Sequence, residues 1–141
     1  MIRRAFNEDI EEIYRMICTL ENTVLDHDAF ELILRNELSS DEYRIFLYEE
    51  DRKIIGIAEM RMTLQLHHSA KVAEIMSLFV YEEYRNRNIG RQLFDMCRQS
   101  AADAGCVLLE LNSSTWRTDA HRFYERAGMR KDHYNFTMDL Q

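Results

Sequence analysis

A chain of 141 residues, 46% hydrophobic and 30% charged, fits one globular domain spanning residues 1–141 and excludes a disordered chain. Its 18 Lys plus Arg against 25 Asp plus Glu give a net charge of −7. No pervasive basic field exists to neutralise phosphates, so nucleic acid is not the expected partner.

Three scattered cysteines, Cys18, Cys97 and Cys106, lack metal-ligand spacing and suit a reducing cytoplasm. The acidic N-terminal stretch and the lack of a long apolar run argue against a signal peptide or membrane span. Met1 to Phe6 reads as a short strand. Asn7 is placed to cap a helix carrying Ile10, Ile13, Ile17 and Leu20 on one face and running to about Glu21. A second helix, capped by Asp26 and ending near Leu38, has Phe30, Ile33, Leu34 and Leu38 as its apolar stripe.

Arg44 to Glu50 and Lys53 to Leu66 form a hairpin about Asp51-Arg52. Gly56 marks a bulge or a close backbone approach. After the loop at His67, His68, Ser69 and Ala70, Lys71 to Val80 pairs back as an antiparallel strand. A helix from Ile89 to Ala104 should bury Leu93, Met96, Cys97 and Ala101, with Gly105 left-handed at its end. Val107 to Asn112 reads as a parallel strand buried on both faces. Ala120 to Ala127 is a helix closed by Gly128, and the alternation of Tyr134, Phe136, Met138 and Leu140 suits a last strand. The order is β-α-α-β-β-β-α-β-α-β, a mixed α/β sheet with a parallel central pair.

The stretch Glu74 to Arg91 combines an apolar strand, a turn carrying Arg85, Arg87 and Arg91, and a Gly at a helix start. Helix N-termini present unpaired N–H groups and a favourable dipole, so this is an anion site. Solvated arginines on a structural turn are the plainer alternative.

Arg85-Asn86-Arg87-Asn88-Ile89-Gly90 resembles the pyrophosphate loop of the GNAT N-acetyltransferases, Arg/Gln-x-x-Gly-x-Gly/Ala. Asn88 stands where the first Gly is usual, and Asn tolerates left-handed angles. Ala120, Tyr124 and Gly128 match a second family landmark, with Met129 in place of Phe. The resemblance covers essentially the whole chain and implies the GNAT fold, acetyl-CoA as cosubstrate and transfer to an amine. It implies that Leu78, Phe79 and Val80, the loop from Arg85 through Asn86, Arg87, Asn88, Ile89 and Gly90 to Arg91, and Asn112 and Tyr124 bind the cofactor. The parallel strands splay in this family, with pantetheine in the gap, and a backbone N–H near Leu78 to Val80 would hold the oxyanion.

Tyr124 is the expected general acid, because a phenol with a pKa near 10 is matched to protonate a departing thiolate. A packed aromatic is the alternative. Glu74 is the expected group to take the ammonium's proton, directly or through water, with Glu59 and Glu110 as rivals; an ordinary exposed carboxylate weighs equally.

A closer resemblance is to the aminoalkylphosphonate N-acetyltransferases. It is carried by Leu25-Asp26-His27-Asp28-Ala29-Phe30, Gln65-Leu66-His67-His68, Glu74-Ile75, the Asn88 loop variant, Asp119-Ala120-His121-Arg122-Phe123-Tyr124 and Phe136-Thr137. It implies a small aminoalkylphosphonate acceptor and a divalent metal ion in some members. Arg61, His68 and Arg117, with Lys71 beside the loop, are the candidate partners of such an anion. Alternatives are another acceptor (a protein N-terminus, an aminoglycoside or a polyamine) or a non-catalytic acyl-CoA-binding module. The apolar C-terminal strand makes a homodimer the expected assembly.

Overall fold

A computed structural model describes residues 1–141, which divide into two compact units, Met1–Glu110 and Leu111–Gln141. In chain order the first contains β1 (Ile2–Arg4), α1 (Ile10–Glu21), α2 (His27–Leu38), β2 (Tyr43–Glu50), β3 (Lys53–Gln65), β4 (Ala70–Val80) and α3 (Ile89–Asp103). A fifth strand, β5 (Leu108–Leu111), lies at the boundary. The sheet order is β1-β2-β3-β4-β5. The first three pairings are antiparallel and β4-β5 is parallel.

Local chemistry accounts for most of the element ends. Asp26 caps α2 by accepting the Ala29 N–H at 2.8 Å. Asp51 and Arg52 both take positive φ, 50° and 65°, as a two-residue hairpin turn of the right twist requires. Gly105, at φ 83°, closes α3 while the Cys106 and Gly105 N–H groups return to the carbonyls of Ala101 and Ala102. That is the Schellman arrangement.

The start of α1 differs from expectation. Asn7 opens a short 3₁₀ turn (Asn7–Asp9), and the α-helix begins at Ile10. The polar group organising the turn is Asp9, whose Oδ2 accepts the Phe6 N–H at 2.7 Å. Arg3 grips the same carboxylate through two contacts of 2.9 Å, which holds its pKa below the ordinary value.

The core has two faces. Ile10, Ile13 and Met16 of α1 and Leu34 of α2 pack with Ile45, Leu47, Ile57 and Phe79. On α3 the buried residues are Ile89, Leu93, Phe94, Cys97 and Ala101. Met96 is 36% exposed, whereas Leu93, Cys97 and Ala101 are buried as expected and Phe94 takes the other margin of the stripe. Gly56 is required by packing. A Cβ there would stand 3.1 Å from Leu93 Cδ1 and 3.2 Å from the Phe79 carbonyl oxygen. The β2–β3 register also shifts opposite it, between Tyr48 and Glu49.

Two strand expectations are corrected. β5 is not buried on both faces: Leu108, Leu109 and Leu111 are half-buried and Glu110 is exposed, because β5 is an edge of the sheet. The closing strand does not form. Residues 129–141 carry no secondary structure, and Tyr134, Phe136, Met138 and Leu140 are 83–91% exposed. Alternation sorts side chains onto two faces but supplies no partner for the backbone, and a lone strand is unstable in water.

The second unit is built on α4 (Thr118–Arg126). Gly128 takes φ 99°, and the Gly128 and Met129 N–H groups return to Glu125 and Tyr124. The helix starts two residues before the expected Ala120. Nowhere in the chain is a helix long and apolar enough to cross a membrane.

Candidate active site

The turn from β4 into α3 has the geometry of an anion cradle. Asn88 sits immediately before the helix at φ 61°, ψ 16°, and Asn86 is also left-handed at φ 65°. Asn is among the few non-Gly residues that adopt these angles at low cost. The N–H groups of Ile89, Gly90 and Arg91 lie in the first helical turn, where no intrahelical acceptor exists. A Cβ on Gly90 would meet only Val80 Cγ2, at 3.9 Å, so the approach to the turn is open.

The arginines of this turn are held apart. Arg85 Nε donates to the Val80 carbonyl at 3.0 Å. Arg87 pairs with Glu50 at 2.7 Å, and Arg91 pairs with Asp95 along the helix.

Between β3 and β4 the register jumps from Glu59↔Ser77 to Met60↔Ile75. Met76 is therefore the extra residue of a β-bulge, with its backbone released from the ladder. The irregularity lies just upstream of Leu78 to Val80, which stay in register with Ala58, Ile57 and Gly56. β5 has only four residues against eleven in β4, and Val107 N bonds Lys71 O near the start of β4 at 2.9 Å. By length, the β4 edge at Leu78 to Val80 extends beyond β5.

Beside the bulge is a cavity of about 290 Å³, walled by apolar residues that include Ile13, Phe30, Ile57 and Met76. Its charged wall is Glu37 of α2 and Glu59 of β3. Glu37 is only 9% exposed. Burial first, then its hydrogen bond and repulsion with Glu59, push its carboxyl up to about 9, with Arg61 pulling the other way. Glu37 Oε1 has no hydrogen-bond partner. Glu59 Oε1 accepts the Ser77 hydroxyl at 2.8 Å.

Arg61 and Glu59 alternate on one face of β3, roughly 7 Å apart along the strand. Arg61 donates to Glu74 at 3.1 Å, and its hydrogen bond with Tyr43 raises its pKa. Its Nε is buried without an acceptor. The structure thus gathers Glu37, Glu59, Arg61 and Glu74. Glu37 was not singled out in the sequence, although it falls four residues after Ile33 and three after Leu34, at an apolar-stripe position.

His68 is not gathered there. It lies in the 3₁₀ turn Leu66–His68 at the hairpin tip, roughly 20 Å along β3 from Glu59. Its ring lies against that of His67, with centroids 4.2 Å apart and the planes tilted by 45°. A donor set suited to a divalent metal exists elsewhere. Glu11, His27 and Glu31 place one ligand atom each within 4.8 Å of one another. Imidazole and carboxylates fit such an ion, and an ordinary ion pair, His27 Nε2 to Glu11 at 2.7 Å, also accounts for the arrangement.

In the second unit, burial raises the Tyr124 phenol and Arg117 opposes the shift. Arg117 Nε is buried with no acceptor, and its guanidinium lies 5.0 Å over the Trp116 ring. Asn112 lies just beyond β5.

The acetyltransferase (GNAT) family model matches residues 6–129. An aminoalkylphosphonate N-acetyltransferase of Salmonella typhimurium is 34% identical over 139 residues, covering 99% of this chain and 90% of that protein. Among solved structures, a transcriptional regulator from Bacillus halodurans superposes with a TM-score of 0.91 at 22% identity, covering 99% of both chains. An aminoglycoside N-acetyltransferase in complex with CoA gives 0.89 at 19% identity, covering 100% of this chain and 95% of that one. These two likenesses establish the fold.

Proposed function

The chain belongs to the acetyltransferase (GNAT) family and is an N-acetyltransferase, and we propose on that premise that it transfers acetyl from acetyl-CoA to the primary amine of a small aminoalkylphosphonate. The observation that carries the acceptor is Arg61. Its buried Nε lacks an acceptor, and it stands one strand repeat from the carboxylates of an apolar cavity. A zwitterion with an ammonium at one end and a phosphonate at the other suits that pairing, and guanidinium is a matched donor to phosphonate oxygens. The aminoalkylphosphonate N-acetyltransferase relative supports the same class.

In this proposal the two units act as one domain, which the family match across residues 6–129 supports. The N–H groups at Asn88, Ile89, Gly90 and Arg91 receive the pyrophosphate, with Arg85, Asn86 and Arg87 flanking it. Pantetheine runs along the β4 edge at Leu78, Phe79 and Val80, with Asn112 as a further partner. Backbone N–H groups released at the bulge are the donors for the oxyanion.

Two protons leave the acceptor nitrogen: one as ammonium becomes amine, one as the amide forms. Glu74, expected from the sequence to take the first, is assigned the second here, because the carboxyls that line the cavity are Glu37 and Glu59. A phosphonate drawn to Arg61 would compete with Glu74 and free its carboxylate. Replacing Glu74 by Gln should then move the pH profile of kcat, and an unchanged profile would assign that proton elsewhere. Tyr124 protonates the thiolate leaving group. Arg117 is carried as a second phosphonate partner, and Glu11, His27 and Glu31 are the residues that would hold a divalent metal, which would supply positive charge when bound.

Thiol release from acetyl-CoA tests this reading. Aminomethyl- and 2-aminoethylphosphonate should support turnover at least tenfold above an aminoglycoside, a polyamine or a peptide N-terminus. A preference for any of the last three would replace the acceptor. No release with any amine would leave a binding module.

A further inference from the structure

The cavity carries an unusual charge arrangement. Two carboxyls from different elements, Glu37 of α2 and Glu59 of β3, meet at a wall that is otherwise apolar. Like charges in contact, out of water, cannot both ionise; such a pair keeps one proton between them. The charged and titratable neighbours are few. β3 supplies Arg61, β4 supplies Glu74, and β2 supplies Tyr43, whose hydroxyl engages Arg61. The α1 wall, Ile13 and Ile17, is apolar. Glu37 has an oxygen with no partner although it is more than nine-tenths buried, while Glu59 is fixed by Ser77 beside the bulge. Leaving a buried acceptor unpaired is costly, and the cavity of about 290 Å³ in front of it is large enough for a small ligand.

We propose that Glu37 and Glu59 form the receptor for the acceptor's nitrogen: the pair accepts an ammonium, takes its first proton and leaves a neutral amine at the bulge, seated against an apolar wall. This rests on the reading that the cavity is the acetyl-acceptor site. The balance is simple. Free amine enters from solution as R-NH3⁺, and the pair begins with one shared proton. An ammonium beside the pair favours ionisation of both carboxyls, so the shared proton is displaced to solvent as the amine binds, and the ammonium's own proton can then pass to the emptied pair. The N–H bond breaks, its electron pair becomes the nucleophile's lone pair, and the proton resides between the carboxyls. The wall contacts select an amine whose first carbons are unbranched and uncharged; groups of the opposite charge belong at Arg61, one strand repeat away.

Calorimetry tests this without any turnover. Titrating n-butylamine into the whole protein at pH 7 in buffers of differing ionisation enthalpy reads the protons released. About one proton per amine is expected from the wild type. With Glu37→Gln the remaining carboxylate pairs with the ammonium as it arrives, and the release should fall to near zero. Glu59→Gln should do the same and serves where Glu37→Gln is poorly folded. Binding without proton release in the wild type, undiminished release in both variants, or no binding at millimolar butylamine would overturn the assignment. Acetylation of an aminoalkylphosphonate by a protein whose binding of amine releases no proton would sink the receptor alone. Proton-linked amine binding without acetylation of any amine would sink the proposed function and leave the receptor standing.

Discussion

Glu37 shows how one residue ties stability to chemistry. Its folded pKa is raised above the ordinary carboxyl value of 4.5, so the native protein holds a proton that the unfolded chain gives up. Its contribution is therefore fullest below about pH 4.5 and declines as pH rises toward its folded pKa. In Glu37→Gln the side chain stays neutral at every pH. The variant should gain on the wild type between pH 5 and 8, by up to about 1.4 kcal/mol per pH unit, the limit for one linked proton. Parallel urea-unfolding stabilities across that range would contradict the assignment. Asp9 has the opposite sign. Arg3 depresses its pKa, so its stabilisation is complete above the unfolded value and disappears as pH falls through the folded one. The sequence placed Glu37 on the helix but gave no hint of its partner, because Glu59 lies on another element and only the fold brings the two carboxyls together. Glu59 had been noticed only as a rival base.

At the scale of elements, α2 and the Asp51-Arg52 hairpin were legible because their determinants are local: a cap three residues from its N–H, a turn that admits only certain backbone angles. Asn7 misled because Asp9 could be recruited by Arg3 from a neighbouring strand. On α3, a stripe spanning roughly 100° admits either Met96 or Phe94 at its margin, and the sheet decides. Phe94→Ala should cost about 3–5 kcal/mol, whereas Met96→Ala should cost under about 1 kcal/mol; equal losses in thermal or chemical unfolding would place α3 in another rotation. The backbone of the turn before α3 was legible down to Asn88, which is left-handed at φ 61°, and its role as the cofactor loop is the proposal. Gly90 has open space above it, so Gly90→Asp should fold with an unchanged melting temperature yet lose at least tenfold in CoA affinity through added bulk and negative charge. Undiminished affinity by calorimetry would move the pyrophosphate elsewhere.

For the whole molecule, the order of elements through α4 was readable from period and punctuation, while the C-terminal strand was not. The pattern of Tyr134, Phe136, Met138 and Leu140 announces two faces; whether a backbone lies alongside is a property of assembly. The homodimer was expected on the edge of that strand, which does not form; what a second copy would cover is the exposed apolar side chains themselves. Light scattering should give twice the 16.9 kDa chain mass, and deleting residues 133–141 should return it to the chain mass. A monomer at every concentration would remove this expectation.

Acetyl transfer to an aminoalkylphosphonate, with Tyr124 protonating the departing thiolate, is the proposed reaction. Its most direct test is mass analysis of 2-aminoethylphosphonate after incubation with acetyl-CoA and either wild type or Tyr124→Phe. One added acetyl group per thiol released is expected from the wild type, and turnover at least about a hundredfold slower from the variant, in line with loss of a general acid. Unmodified aminoethylphosphonate with the wild type, or equal rates in the two proteins, would contradict it.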